Sequence, residues 1–590
     1  MNAHAGSCCW PFFVRLLTPQ RRRVSMRTSH DPPADPRKAA LLLLFFVGLM
    51  VRTWRAVQIP VVNPDAVRFI EQAQRMRVDL LGALRSEAYH PLHAFATLLV
   101  HSVIAFHFPN DREAWLIALQ VVGVFCGSIV AVQIVWLARA FGAPFWASMA
   151  AAAAWIVGRR TSVYGADGVS DMLFLTLFAA ALLTAIAALR FRTPELTRRQ
   201  TWQFSLAGFL SGVAYLTRPE GMGVLLIVGI TLALSHISSR RRSSGRCVTT
   251  GFKFLPRRVL PLKPLVQAMA CMAISAALPS VPYMLAIGAF THKKTIDIVT
   301  ATLHTAPVAA AFLATGTPLD KLMKLLMELM ETFGFGPGIA LLGAMLLAPR
   351  FWGRPRLRPL VVTWIAVWIL LMAWLMNKAG YLDGRHTLGL ELVLYGLLAL
   401  AFVAWMKPMR WWMAYWRRKP VWNRLPAWLR WAHWPHAFAG CAVFLALLPG
   451  LILLREPPQQ ELAFVRTAAA WLHGNIKPSV PIIGLPRLIG YYSGNPTRAW
   501  GGTPEKPALE TLHVDTPSLF TYTFRPSKGQ TLQFNVGPYQ SIALFKSPTG
   551  AQGDILMFYA IPGSDVYLKP QDFIIPMPSA TAPATASIVR

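Results

Sequence analysis

Apolar runs of roughly 15 to 25 residues recur from about residue 39 to residue 454. Each is close to the length a helix needs to cross a hydrocarbon core while satisfying its own backbone hydrogen bonds. A soluble helix bundle would show polar stripes along such runs. With 54% of its residues hydrophobic and only 14% charged, the chain reads as a membrane protein. Eleven stretches are expected to span: 39–57, 114–137, 144–158, 169–189, 202–217, 221–237, 265–289, 334–349, 359–376, 388–406 and 437–454. The expected fold class is an all-α polytopic membrane protein with a C-terminal extracytoplasmic α/β domain.

The formal net charge of +32 does not imply nucleic acid, because the basic residues sit in short loops between apolar runs, where they fix orientation and attract anionic lipid. Residues 1–38, with Arg21, Arg22, Arg23 and Arg27 ahead of Pro32 and Pro33, read as a basic cytoplasmic tail and not as a cleavable signal. Connectors 238–264, 350–358 and 407–436 are basic and nearly free of acid, which places them inside. Counting 91–108 as a span would reverse every later loop, so it reads as a juxtamembrane or re-entrant helix. The N-terminus is then inside and the C-terminus outside, in a cell (inner) membrane. The outer segments are 58–113, 158–171, 290–333 and 377–387.

Residues 39–454 form the expected transmembrane unit and 455–575 the extracytoplasmic one. The latter opens with a helix whose face carries Leu462, Val465, Ala469 and Leu472, and continues with alternating runs at Phe520 to Phe524 and Ser541 to Phe545. No cysteine follows Cys441, so this unit holds no disulfide, and the six cysteines show no metal-ligand spacing. The tail 576–590, rich in Pro, Ala, Thr and Ser, reads as disordered.

The outer segments hold the candidate chemistry. Asp65, in Asn63-Pro64-Asp65, follows the first span and would face headgroups, where a carboxylate can take the proton of an incoming hydroxyl or amine. The same residue also fits a helix cap. Asp167 and Asp171 flank the start of a span; they suit capping, orientation of an acceptor, or a divalent ion held by hard carboxylate oxygens. Arg218 and Glu220 lie in a tight turn between two spans, and Lys378, Arg385 and His386 lie in another outer segment. Outer basic groups beside an apolar wall run against the usual inside bias, and a lipid-carried phosphate would explain them. His90 and His93 are a weak metal pair, because Pro91 places the helix start between them. Loop 290–333, with His292, Lys293, Lys294, Asp297 and His304, is long enough for a lid.

The order of these features resembles the GT-C membrane glycosyltransferases, in the branch of protein mannosyltransferases and lipid A aminoarabinose transferases. The matching elements are Asp65, His90 to Leu92, Tyr164 to Asp171, Leu216 to Gly221, Arg385-His386, and Gly490-Tyr491-Tyr492-Ser493-Gly494. The resemblance implies a polyprenyl-phosphate sugar as donor and a lipid, glycan or protein as acceptor. By that analogy Asp65 is the base, Arg218, Arg385, His386 and Lys378 hold the carrier phosphate, and Asp167, Asp171, Glu220 and His90 shape the acceptor site. Asn63-Pro64-Asp65 replaces the more typical Asp-Glu pair, so a metal is not assigned and a divalent cofactor stays open. The reading from another class is a transporter or flippase of lipid-linked sugars, which should place intramembrane charges along a central pathway.

Overall fold

The computed structural model describes residues 35–86, 89–189, 195–243, 262–291, 318–347, 357–379, 384–416, 418, 434–456, 458, 463–475, 482–484, 487–494, 497–498, 519–524, 540–546 and 555–560. The basic tail as far as residue 34, the lid residues His292 to His304 and the tail 576–590 lie outside the described residues, as does the Lys378 side chain.

All eleven expected stretches are helical over their described residues, but they are not equal. Among the described residues seven helices are long and apolar enough to cross a membrane, or eight if one bent pair counts as a span. The seven are Pro36–Gln58, Asp111–Phe141, Asp171–Ala188, Pro219–Ile237, Leu262–Ile287, Arg358–Met376 and Leu388–Trp416. The bent pair, Met323–Glu331 and Phe335–Met345, turns through 113°. Phe145–Val157 and Pro91–His107 are shorter apolar helices, and Trp434–Leu453 is apolar over Ala439–Leu453. Arg198–Tyr215 is the eleventh stretch; Arg198, Arg199, Gln200 and Gln203 in its first turns dilute its apolar character.

The first helix shows how the bundle is sorted. Asp35 caps it by accepting the Arg37 backbone N–H at 3.1 Å, and Pro36 occupies its first turn, where a missing N–H costs nothing. Leu44, Gly48, Arg52 and Arg55 are buried along one face, while Leu42, Leu43, Phe46, Met50 and Trp54 are exposed on the other. That exposed apolar stripe is what a lipid-facing helix presents. Asp111–Phe141 runs through the centre of the bundle and ends at Gly142, whose φ of +109° suits a residue without Cβ. Trp155, Phe178, Trp364 and Phe402 fill the core around it. Arg198–Tyr215 lies backbone to backbone on Leu262–Ile287: a Cβ added at Gly208 would sit 2.1 Å from the Met272 carbonyl oxygen, and one at Gly212 2.3 Å from that of Ala276.

A five-stranded mixed sheet follows the last apolar helix, formed by Ile482–Gly484, Thr497–Arg498, Leu519–Phe524, Gln540–Lys546 and Ile555–Ala560. Numbered in chain order, the strands run 2-1-3-5-4, with parallel pairing around the first and antiparallel pairing around the fifth. Val465, Ala469 and Leu472 of the Ala463–Asn475 helix are buried, as their spacing predicts, together with Val67, Ile70 and Trp115. The Tyr492 hydroxyl accepts the Val62 N–H at 3.2 Å, and the Tyr491 hydroxyl donates to the Arg112 carbonyl at 2.8 Å. The C-terminal helices thus brace the segment that carries Asp65.

Candidate active site

Asp65 sits in the first turn of the amphipathic Pro64–Val78 helix, and it is not the cap. Asn63 is the cap, its side chain accepting the Asp65 backbone N–H at 3.0 Å. The Asn63 N–H in turn donates to Asp167 Oδ1 at 2.8 Å, so buried Asp167 pins the start of the helix. With capping done by its neighbour, the Asp65 carboxylate is available for side-chain partners. Arg385 Nη1 donates to Oδ2 at 2.9 Å, and the Tyr89 hydroxyl donates to Oδ1 at 2.8 Å. Arg68 Nη1 donates to the same Tyr89 oxygen at 2.6 Å, and Gln72 Nε2 holds the Tyr89 carbonyl at 3.0 Å.

Burial works against a charged Asp65, but the Arg385 guanidinium, the Tyr89 hydroxyl and nearby Arg68 outweigh it and hold the carboxyl below its usual range. Burial first, and the Asp65 charge second, push the Tyr89 hydroxyl up to about 12, so it stays a donor. Asp65 and Arg385 are each about a quarter exposed, which leaves the ion pair open to a ligand from one side.

A second charge cluster adjoins the first. Arg218, 7% exposed, pairs through Nη1 with Asp171 Oδ1 and through Nη2 with Glu220 Oε1 at 3.2 Å. Burial opposes its charge, but Glu220 and Asp171 outweigh burial and raise its pKa, while the charge of Arg385 opposes them. The two arginines therefore feel one another across the site. Asp171 opens the Asp171–Ala188 helix and spends one oxygen on Arg218, while Oδ2 is buried without a hydrogen-bond partner.

The Arg385 turn, Gly384–His386, is anchored from within the bundle. Thr387 Oγ1 lies 2.7 Å from the Gly384 carbonyl and 2.6 Å from Glu391 Oε1, and Trp368 Nε1 donates to the His386 carbonyl at 2.9 Å.

His90 and His93 do not form a pair. His90 Nε2 meets Thr291 Oγ1 at 3.0 Å and its ring abuts Tyr215, whereas His93 Nε2 meets the Gly168 carbonyl at 2.9 Å. Their ring nitrogens serve separate neighbours, and the helix starts at Pro91 with His90 as its cap residue, as the sequence reads. Among the described residues no group of three or more His, Cys, Asp or Glu could hold a metal ion. The carboxylates of Asp65 and Asp171 are matched to arginines, so no step is routed through a divalent ion. Tyr89, Arg68 and Glu391 escape a reading of motifs: Tyr89 was visible beside His90, but only the fold turns it toward Asp65.

No protein-family model matches the chain, and no curated protein sequence matches it. Among solved structures, ArnT from Cupriavidus metallidurans in the apo state is similar at TM-score 0.52 and 14% identity, covering 89% of this chain and 98% of that one. The chain has the GT-C fold. ArnT bound to undecaprenyl phosphate gives TM-score 0.50 at 16% identity, with 91% and 99% of the two chains covered. The apo oligosaccharyltransferase of Archaeoglobus fulgidus is more distant, at TM-score 0.46 and 13% identity over 79% of this chain, which spans only 64% of that structure's length. Within the GT-C fold, the Asp65 helix and the Arg218 and Arg385 turns lie at one end of the spans.

Proposed function

We propose that the chain is a membrane glycosyltransferase that moves a sugar from a polyprenyl-phosphate donor to an acceptor at the outer face of the membrane. The observation that carries this reading is the Asp65–Arg385 ion pair, with Arg218 close enough to be felt by Arg385. A base and two anion-binding groups stand together at the end of an apolar bundle, as a lipid phosphate and a protic acceptor require.

In this mechanism the donor phosphate draws Arg385 from Asp65, and Arg218 adds its charge. Losing its cation makes Asp65 more basic at the moment the donor is in place. The acceptor hydroxyl or amine attacks the anomeric carbon, its proton passes to Asp65, and the bond from that carbon to the phosphate oxygen breaks. The electron pair leaves on the carrier phosphate, where the guanidiniums neutralise it. Attack opposite the leaving group inverts the anomeric centre. Tyr89 orients one Asp65 oxygen, His386 stands in the Arg385 turn, and Lys378 is assigned to the phosphate by the sequence alone. Asp167, Asp171, Glu220 and His90 shape the acceptor side through the contacts described.

A second reading, a transporter of lipid-linked sugars, is favoured by Arg52. This residue is fully buried in the second half of Pro36–Gln58, wedged where Gly127 and Gly165 leave room, with Nε and Nη2 lacking hydrogen-bond partners among the described residues. The deciding experiment incubates the purified protein in nanodiscs with a panel of polyprenyl-phosphate sugars and acceptors. Release of carrier phosphate by the wild type, strongly reduced in folded Asp65→Asn and Arg385→Ala, supports the transferase. Binding of these lipids without turnover supports the transporter.

A further inference from the structure

At the end of the bundle opposite Asp65, the start of Pro36–Gln58, the end of Asp111–Phe141, the start of Phe145–Val157 and the end of Asp171–Ala188 enclose a cleft of about 490 Å³. Its walls are apolar, with Leu41, Phe145, Leu183 and Ile186 among them, and Arg37 and Arg139 stand at it. Both arginines are exposed, and none of the lining residues is acidic. The nearby carboxylate of Asp35 is engaged by the Arg37 backbone N–H as a helix cap. Among the described residues the Arg139 side chain makes one long 3.5 Å contact, with the Ala143 carbonyl. Trp136, 52% exposed, also lines the cleft, in the position that interfacial aromatic rings take at headgroup depth.

The first helix has 23 residues; at about 1.5 Å per residue it separates this cleft from the Asp65 site by roughly the thickness of a bilayer core. A chain that lies in lipid, with a slot whose walls suit hydrocarbon and whose mouth suits a phosphate, has complementarity to one kind of molecule. We propose that the cleft is a binding site for an anionic phospholipid of the leaflet opposite the candidate active site, with Arg37 and Arg139 on the headgroup phosphate and the acyl chain along Leu41, Phe145 and Leu183. Two cations are needed because a zwitterionic lipid offers the same phosphate with its charge already balanced. The proposal does not depend on the transferase reading.

Native mass spectrometry of the full-length protein in detergent tests it, with titrations of phosphatidylglycerol and phosphatidylcholine of identical acyl chains. Wild type is expected to prefer phosphatidylglycerol by roughly tenfold. The Arg37→Ala/Arg139→Ala double variant should lose that preference while keeping its melting temperature. Arg198→Ala/Arg199→Ala removes two exposed charges from the same end of the bundle but outside the cleft, and should keep it. Ala187→Trp, which fills the slot, should weaken both lipids. Equal binding of the two lipids by wild type overturns the site, and so does a preference that survives in the cleft variant. An equal loss in both double variants overturns it too, since the attraction would then be that of a diffuse basic surface. Displacement by soluble glycerol phosphate at the same concentration as lipid would show that the apolar walls add nothing, and would likewise overturn it.

Discussion

Arg385 donates a 2.9 Å hydrogen bond to Asp65 across 320 residues of sequence. In the proposed transferase this pair keeps the base quiet until donor arrives, and the pH behaviour of Asp65 follows from it. The depressed carboxyl is charged above the ordinary carboxylate range and stays charged as pH falls, until pH passes its own lowered pKa. Stability from this pair is therefore present above the unfolded pKa and is lost as pH falls through the folded one. Arg385→Ala removes the strongest lowering influence, so the acid limb of the kcat/KM profile is expected to move to higher pH. A limb that stays in place would show that Asp65 is not the titrating base. Asp65→Asn should lower kcat by about 10² to 10⁴-fold, the range for loss of a general base.

Tyr89 stands between Arg68 and Asp65 and also packs edge-on against Phe69 with ring centroids 5.0 Å apart. Tyr89→Phe keeps the ring and deletes the hydroxyl. We expect a loss of kcat of roughly fivefold to tenfold, equivalent to about 1 kcal/mol for one hydrogen bond, with the melting temperature nearly unchanged. Steady-state kinetics beside a thermal melt separates this from a packing defect.

Arg218 and Asp171 form a pair that is hard to break from one side. Removing one partner of a buried pair leaves an uncompensated charge and costs about 3–5 kcal/mol. Arg218→Ala should therefore lower thermal stability more than the Arg218→Ala/Asp171→Asn double variant does. A double-mutant cycle on melting temperature, with equal losses in the two variants, would refute the coupling.

The glycine contact between two helices supplies a test of the bundle itself. At Gly208 a Cβ would meet the Met272 backbone at 2.1 Å, and backbone cannot swing aside as a flexible side chain can. Gly208→Val should cost more than about 4 kcal/mol and abolish the monodisperse detergent peak in size exclusion. At Gly440 nothing lies within 4 Å of the added Cβ, so Gly440→Ala should leave that peak unchanged.

The apolar helices were legible because such a helix is a local solution: length, apolarity and internal hydrogen bonding sit within some twenty residues. All eleven stretches are helical, and Asp65, Arg218 and Arg385 were singled out as residues outside the lipid. How many helices cross is a different matter. Phe145–Val157 is only 13 residues long, and Phe335–Met345 is turned through 113° from Met323–Glu331 across Gly334, whose φ of +89° redirects the chain.

What the chain alone determined, then, is the set of apolar helices and the inventory of charged groups between them. Tertiary structure decided which charges meet: that Asn63 caps and frees Asp65, that Asp167 holds Asn63, that Arg385 reaches Asp65 while Arg218 turns to Asp171, and that His90 and His93 part. The physical reason is range. Helix formation is settled among near neighbours, whereas each of these pairings depends on the packing angles of helices distant in sequence, which only the assembled bundle defines.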